Sequence, residues 1–239
     1  MKKFMFGIAF LLLLSVSVSC TKEGGKELMG GDYLFSNSFI TWFYKMDSAN
    51  LLLDTHDVDK SIYTFIWQGH FSDYFTKEKN PDEYKILCDK YGDSGLNAYL
   101  EIDNQASINN FSGISITSDH DFPDHPAGSD LSDIVYVRLS SAKPFIDSGY
   151  SKSYLNSDPV LINNFRLISA TEGYTDVYKP AKDITKDDLM LIARNITIEF
   201  RDKPIEDKND VFITVSLKQD GDIPIVSTYG VNFEKLAKK

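Results

Sequence analysis

Cysteine is nearly missing from this chain: its 239 residues include only Cys20 and Cys88. With Cys20 assigned a terminal role below, Cys88 has no partner, so no internal disulfide staples the fold. Cys88 then reads as a small buried apolar residue and not as a reactive thiol. Basic runs are missing too, and 35 acidic side chains outnumber 25 basic ones, a formal net charge of −10. Such a surface repels phosphates and anionic headgroups, so nucleic acid is not an expected partner. There is no Gly-rich phosphate loop, no Gly-x-Ser-x-Gly elbow, no HExxH and no internal repeat. Each of those absences removes a template for catalysis, and the chain is expected not to be an enzyme.

The one long apolar run stands at the start. Met1-Lys2-Lys3 is a short positive opening, "FMFGIAFLLLL" is apolar, and "SVSVS" supplies small residues before a cleavage point. A stable membrane-crossing helix needs about 20 apolar residues, and this run is shorter. Residues 1–19 therefore read as a secretory signal. Its removal takes Lys2 and Lys3, leaving 23 basic against 35 acidic side chains, a charge of −12.

Cys20 follows directly, and a cysteine there resembles the bacterial lipoprotein signal. The resemblance implies that the Cys20 thiol carries a diacylglycerol and becomes the first residue of the mature chain. Ser17 stands where that family carries an aliphatic residue, and Ser17 with Ser19 also fits ordinary signal cleavage, which would release a soluble protein. Acylation would make the membrane a partner, since buried lipid is worth about 0.8 kcal/mol per methylene. "TKEGGKELMGG" is polar and glycine-rich, so residues 20–31 form the lipidated Cys and a flexible tether with a reach of about 20 Å.

From residue 32 onward the recurring signal is a period of two. "YLFSNSFITWFY" (33–44), "SIYTFIWQG" (61–69), "NAYLEID" (97–103), "FSGISITS" (111–118) and "IVYVRLS" (134–140) read as strands, as do "VLINNFRLIS" (160–169), "NITIEF" (195–200) and "VFITVSL" (211–217). Asp220-Gly221 is a hairpin signal. "NPDEYKILCDKYGD" predicts a helix: Asn80 caps, Pro81 suits the first position, and Tyr84, Leu87, Cys88 and Tyr91 form one apolar stripe ended by Gly92. "TKDDLMLIARN" (185–195) is ambiguous between helix and strand, and a short helix is predicted at 232–239. The expected fold is mainly β: a single antiparallel β-sandwich over 32–239, Ig-like or related, with residues 80–91 as one short packed helical insertion.

"SGISITSDHDFPDHPAGSDLSDIVYV" (112–137) and the strands from 160 to 233 resemble uncharacterised outer-membrane lipoproteins of Bacteroides-type bacteria. These tend to carry a strand ending in Ser-Asp, a "PAG" turn and a Leu-x-Asp-Ile segment. The resemblance implies a lipid-anchored β-sandwich at the outer membrane or cell surface and lends no activity and no catalytic residues.

Two groups of residues invite a site. "TSDHDFPDHPAGSD" (117–130) holds four Asp and two His. Zinc would use His120 and His125 with Asp119, Asp121 or Asp124, but their spacing is not helical and Pro123 forbids a regular helix. Calcium suits the carboxylates of Asp119, Asp121, Asp124 and Asp130 better, yet Phe122, Pro123 and His125 break the standard loop. The competing reading, a solvated turn built from Asp, Pro, Gly and Ser, outweighs both. "LDTHDVDK" (53–60), with Asp54, His56, Asp57 and Asp59, poses the same choice. No cofactor is expected, calcium being the one that the residues would suit.

Aromatic residues, 13% of the chain, supply the second group. Trp42, Tyr44 and Trp67 fall in strands; exposed on one sheet face they would stack on sugar rings, and buried they are core. Tyr150, Tyr154 and Tyr174 are expected to be exposed. The expected protein is a membrane-anchored, non-enzymatic envelope or cell-surface lipoprotein acting in recognition or assembly, with a glycan or a protein as partner. A glycan-binding surface lipoprotein and a calcium- or zinc-dependent enzyme are the alternatives.

Overall fold

The computed structural model describes residues 33–57, 62–101, 104–158, 160–162, 164–169, 172–206 and 210–236. The expected signal, Cys20 and the tether lie outside the described residues. In chain order the first elements are β1 (Tyr33–Ser36), β2 (Trp42–Asp57), β3 (Ile62–Thr76), α1 (Pro81–Tyr91), β4 (Ala98–Glu101), β5 (Gln105–Ser107) and β6 (Phe111–Ser118). Then come β7 (Val135–Ser141), α2 (Lys143–Asp147), β8 (Val160–Ile162), β9 (Phe165–Ile168) and β10 (Thr175–Pro180). The last are β11 (Asn195–Phe200), β12 (Val211–Gln219), β13 (Ile225–Val231) and α3 (Phe233–Leu236).

The fold is mainly β and sandwich-like, as expected. Six strands lie in the order β10-β7-β11-β3-β2-β5, three in the order β13-β12-β6 and four in the order β1-β4-β9-β8. Two pairings, β2 with β5 and β4 with β9, are parallel and depart from the antiparallel expectation.

Strand alternation builds the main core. Phe65, Trp67, Val137, Leu139, Ile196 and Ile198 point inward from the six-stranded sheet, against Ile116, Ile213, Val215 and Leu217 from the three-stranded one. Burying each such side chain is worth about 1.5–3 kcal/mol, so this face holds the two sheets together. Strand β2 reaches the core in two registers, first through Tyr44 and Met46 and later through Leu51. Register shifts on both sides of Met46 reverse the parity between them. The bulge frees backbone groups, and Asn109 takes them: its Oδ1 accepts from the Met46 N–H at 2.7 Å and its Nδ2 donates to the Met46 carbonyl at 2.9 Å.

A second core packs α1, α2 and the four-stranded sheet around the start of β2, through Phe39, Ile40, Phe43, Tyr84, Phe145 and Ile168. Helix α1 buries Tyr84 and Cys88 there, and Gly92 ends it at φ 74°, the left-handed geometry glycine takes without strain. Asn80 makes no side-chain capping bond, contrary to expectation. The next residue after the glycine, Asp93, is fully buried. Its carboxylate accepts from the Phe39 and Ile40 N–H groups at 2.6 and 2.8 Å and from the Tyr150 hydroxyl at 2.8 Å. Burial pushes the Asp93 carboxyl up, against the opposite pull of those three bonds.

Three segments also differ from their sequence reading. Segment 33–44 is two strands, because residues 37–41 leave the ladder to place Phe39 and Ile40 in the second core. Segment 160–169 is a hairpin, turned with Asn164 at φ 70°. In 185–195, Thr185 and Asp188 bond each other's backbone as a capping box does, at 2.7 and 3.3 Å, but turns and a single bridge from Ile192 to Ser141 follow before β11.

Candidate functional site

The six-stranded sheet has a second face, and the three-stranded sheet does not cover it. Alternation sets its residues: where Val135, Val137 and Leu139 point inward along β7, Tyr136 and Arg138 point outward. By the same parity β10 offers Tyr178, β11 offers Thr197 and Glu199, and β3 offers Thr64. Cross-strand pairing arranges them in two rows, Tyr178–Arg138–Thr197 and Tyr136–Glu199–Thr64. Neighbours within such a row stand about 5 Å apart.

Thr64, Arg138, Tyr178, Thr197 and Glu199 line a shallow groove of about 230 Å³. At its rim Arg201 donates from Nε to the Glu199 carboxylate at 2.8 Å and from a terminal nitrogen to the Tyr178 hydroxyl at 2.6 Å. That hydroxyl donates in turn to Glu199 at 2.8 Å. Desolvation and the Glu199 bond push the Tyr178 phenol up, with Arg201 pulling the other way. The Arg201 guanidinium also lies 4.0 Å from the centre of the Tyr136 ring, and the two tyrosine rings are 5.5 Å apart. Arg138 rests 4.9 Å from the Tyr178 ring centre. It has no carboxylate within ion-pair distance among the described residues. The arrangement offers hydrogen-bonding groups, ring faces and one guanidinium without an ion-pair partner among the described residues, which is chemistry that a ligand site uses.

A second open surface is apolar. On the four-stranded sheet Phe35, Tyr99 and Phe165 stand edge to face, with ring centres 4.8 to 6.3 Å apart.

The expected aromatic site does not form. Tyr44 and Trp67 are fully buried in the main core, so neither presents a ring to a sugar. Their strands' inward parity puts them there. The Tyr44 hydroxyl donates to the Ile192 carbonyl at 3.2 Å, and the Trp67 indole N–H has no partner among the described residues. Trp42 is half-buried and stacks on Tyr74 at 5.4 Å, with Lys79 3.7 Å from the centre of the Tyr74 ring. Tyr150 is buried as well, against expectation, through its bond to Asp93.

The Asp/His segment is a set of turns in which the carboxylates of Asp119, Asp121 and Asp130 bond their own surroundings. Asp119 Oδ1 accepts from the Phe212 N–H at 2.8 Å and lies 2.7 Å from His120 Nδ1. Asp121 Oδ1 accepts from the Ala127 N–H at 2.7 Å. Phe122 and His125 exchange both backbone bonds, with Asp124 at φ 61° in the turn between them. Phe122 itself is buried in the main core and pins the segment to it. The His125 ring lies 2.7 Å from the Pro123 carbonyl and 2.8 Å from Asp133. Those two acceptors, the carbonyl first, push the His125 pKa up, because only the doubly protonated ring donates to both. Asp119, His120, Asp121, Asp124 and His125 are therefore not gathered on one point. Among the described residues no three His, Cys, Asp or Glu side chains are placed to hold a metal ion. In the other acidic segment, residues 58–60 lie outside the described residues.

Tyr136, Arg138, Tyr178, Glu199 and Arg201 were not among the residues that the sequence singles out. Their signal is present as polar and aromatic residues at the alternate positions of apolar strands. Alternation identifies two faces but not which one a second sheet covers. No family model, curated protein or solved structure matches the chain.

Proposed function

We propose that this is a membrane-anchored, non-enzymatic envelope or cell-surface lipoprotein that works by recognition through the open face of its six-stranded sheet. The observation that carries the recognition half is the grouping of Tyr136, Arg138, Tyr178, Thr197, Glu199 and Arg201 on one uncovered surface. Sheet stability does not require that choice, because exposed ion pairs are worth only about 0–1 kcal/mol. The anchoring half rests on the signal-like start, Cys20 and the glycine-rich segment after it. An anchor followed by such a tether leaves a sheet face free to meet a ligand.

Palmitate labelling of the full chain, expressed with its own start in a Gram-negative host, tests the anchor. Wild type takes up label and fractionates with membranes, and Cys20→Ser does neither. An unlabelled wild type, or a Cys20→Ser protein that fractionates unchanged, overturns the anchored reading.

The second reading, a glycan as the ligand, gains from Tyr178. It is 41% exposed on the open face, beside Tyr136, so the sheet carries rings for a sugar at a place other than Trp42, Tyr44 and Trp67.

A further inference from the structure

Resting on the recognition reading of the open face, we infer that the Arg138 groove takes a carboxylate-bearing sugar. Three features of the groove, taken together, select that chemistry.

The first is the division of charge. Two of the chain's four arginines stand on this face. Arg201 is paired with Glu199 at 2.8 Å, whereas Arg138, across the groove from that carboxylate, has no ion-pair partner within 4 Å among the described residues. Its contact is with the Tyr178 ring, 4.9 Å away. A guanidinium laid against a ring is a planar fork held in advance, and it pairs with a carboxylate through two parallel N–H···O bonds.

The second feature is the hydroxyls. Thr64 and Thr197 line the same groove, and neither side chain has a hydrogen-bond partner among the described residues. Each hydroxyl both donates and accepts, which suits a ligand carrying many hydroxyls of its own.

Glu199 is the third, and it sets the limit on negative charge. Arg201 and Tyr178 both engage its Oε1, and Oε2 makes no bond among the described residues. A sugar hydroxyl donates to that oxygen. A phosphate dianion brings a second negative charge against it, on a chain of net charge −10. One carboxylate with hydroxyls around it satisfies Arg138, the threonines and Glu199 together. At about 230 Å³ the groove lies below the usual range for drug-sized ligands, and a single ring suits it better than a chain of them.

The test is calorimetric titration of the full chain with a panel of acidic oligosaccharides: tetragalacturonate, a glucuronate-containing hyaluronan tetrasaccharide, and sialyllactose. Methyl-esterified tetragalacturonate, the methyl ester of sialyllactose and a reduced-carboxyl hyaluronan tetrasaccharide are the uncharged counterparts. At least one acid is expected to bind more than tenfold tighter than its counterpart. Arg138→Gln should weaken it more than tenfold at an unchanged thermal midpoint, and Thr197→Val less. Equal binding of acid and counterpart, or binding indifferent to Arg138→Gln, overturns the carboxylate assignment and leaves recognition by the face standing if Tyr178→Ala weakens it. No binding by any acid on the panel overturns the assignment outright, and no binding by the neutral forms either removes the glycan reading with it.

Discussion

Along β7, Val135, Val137 and Leu139 enter the sandwich while Tyr136 and Arg138, on the same seven residues, face solvent. Strands β11 and β3 repeat the division, with Ile196, Ile198, Phe65 and Trp67 on one side and Thr197, Glu199 and Thr64 on the other. The inner face is specified by packing: any residue there must be apolar and of the right volume. On the outer face only cross-strand pairs, worth about 0.2–1 kcal/mol each, constrain the choice of residue. Two arginines lie on two tyrosines there, and under the proposed reading they serve a ligand while the inner face holds the fold together.

The largest effect belongs to the inner face. Phe65 packs edge-on against Phe200 and Tyr229, with ring centres 5.5 and 6.1 Å apart. Phe65→Ala is expected to cost about 3–5 kcal/mol, seen as a large drop in the urea midpoint. A loss of less than about 1 kcal/mol would mean that the sandwich interior is not the source of stability claimed for it.

Next comes the second core, where loops and not strands supply the interior. Phe39 and Ile40 have backbone N–H groups that no ladder pairs, and Asp93 accepts from both. Asp93→Ala leaves these two donors and the Tyr150 hydroxyl without their acceptor, and is expected to cost about 3 kcal/mol. The wild type also carries a pH signature. Because burial raises the folded pKa of Asp93 above the unfolded value of about 3.9, the folded state holds the proton longer. Stability from this group is thus given up as pH rises through the interval between the two values, and the alanine variant lacks that slope. A wild type and variant with parallel stability profiles between pH 3 and 7 would contradict the assignment.

A smaller effect separates His125 from the metal reading. Its raised pKa means that the protonated ring's contribution is complete below the unfolded value of about 6.5 and is lost as pH rises through the folded one. In an NMR titration the His125 ring should show a midpoint above 6.5, and Asp133→Asn should lower it only in part, since the Pro123 carbonyl remains. A midpoint at or below 6.5 contradicts the two-acceptor geometry.

Much of the fold was legible because alternation is a local signal. Phe111–Ser118, Asn195–Phe200 and the helix from Pro81 to Tyr91 follow the sequence pattern closely, and Gly221 at φ 80° serves the expected turn before β13. What was missed depends on contacts distant in sequence. The break after Ser36 exists because Phe39 and Ile40 find a carboxylate more than fifty residues away. The split at Asn164 needs β8 to fold back on β9, and β10 becomes a strand by pairing with β7. The site failed for a related reason. Tyr44 and Trp67 look like ligand-binding rings as readily as core until the covering sheet is known. Tyr178 comes beside Arg138 only through a pairing forty residues long. The Asp/His segment stands out by composition, but three of its four carboxylates, those of Asp119, Asp121 and Asp130, accept backbone N–H groups.

Val137 and Arg138 are adjacent residues on opposite faces, so one pair of variants puts the division directly to the test. Urea unfolding of Val137→Ala and Arg138→Gln, each paired with a titration of the tightest-binding acidic oligosaccharide, is the decisive measurement. Val137→Ala should lose about 2 kcal/mol and keep its affinity. Arg138→Gln should stay within about 0.5 kcal/mol of wild type and lose its affinity more than tenfold. An Arg138→Gln protein that unfolds as early as Val137→Ala while binding as wild type does would show that the outer face serves the fold and not a ligand.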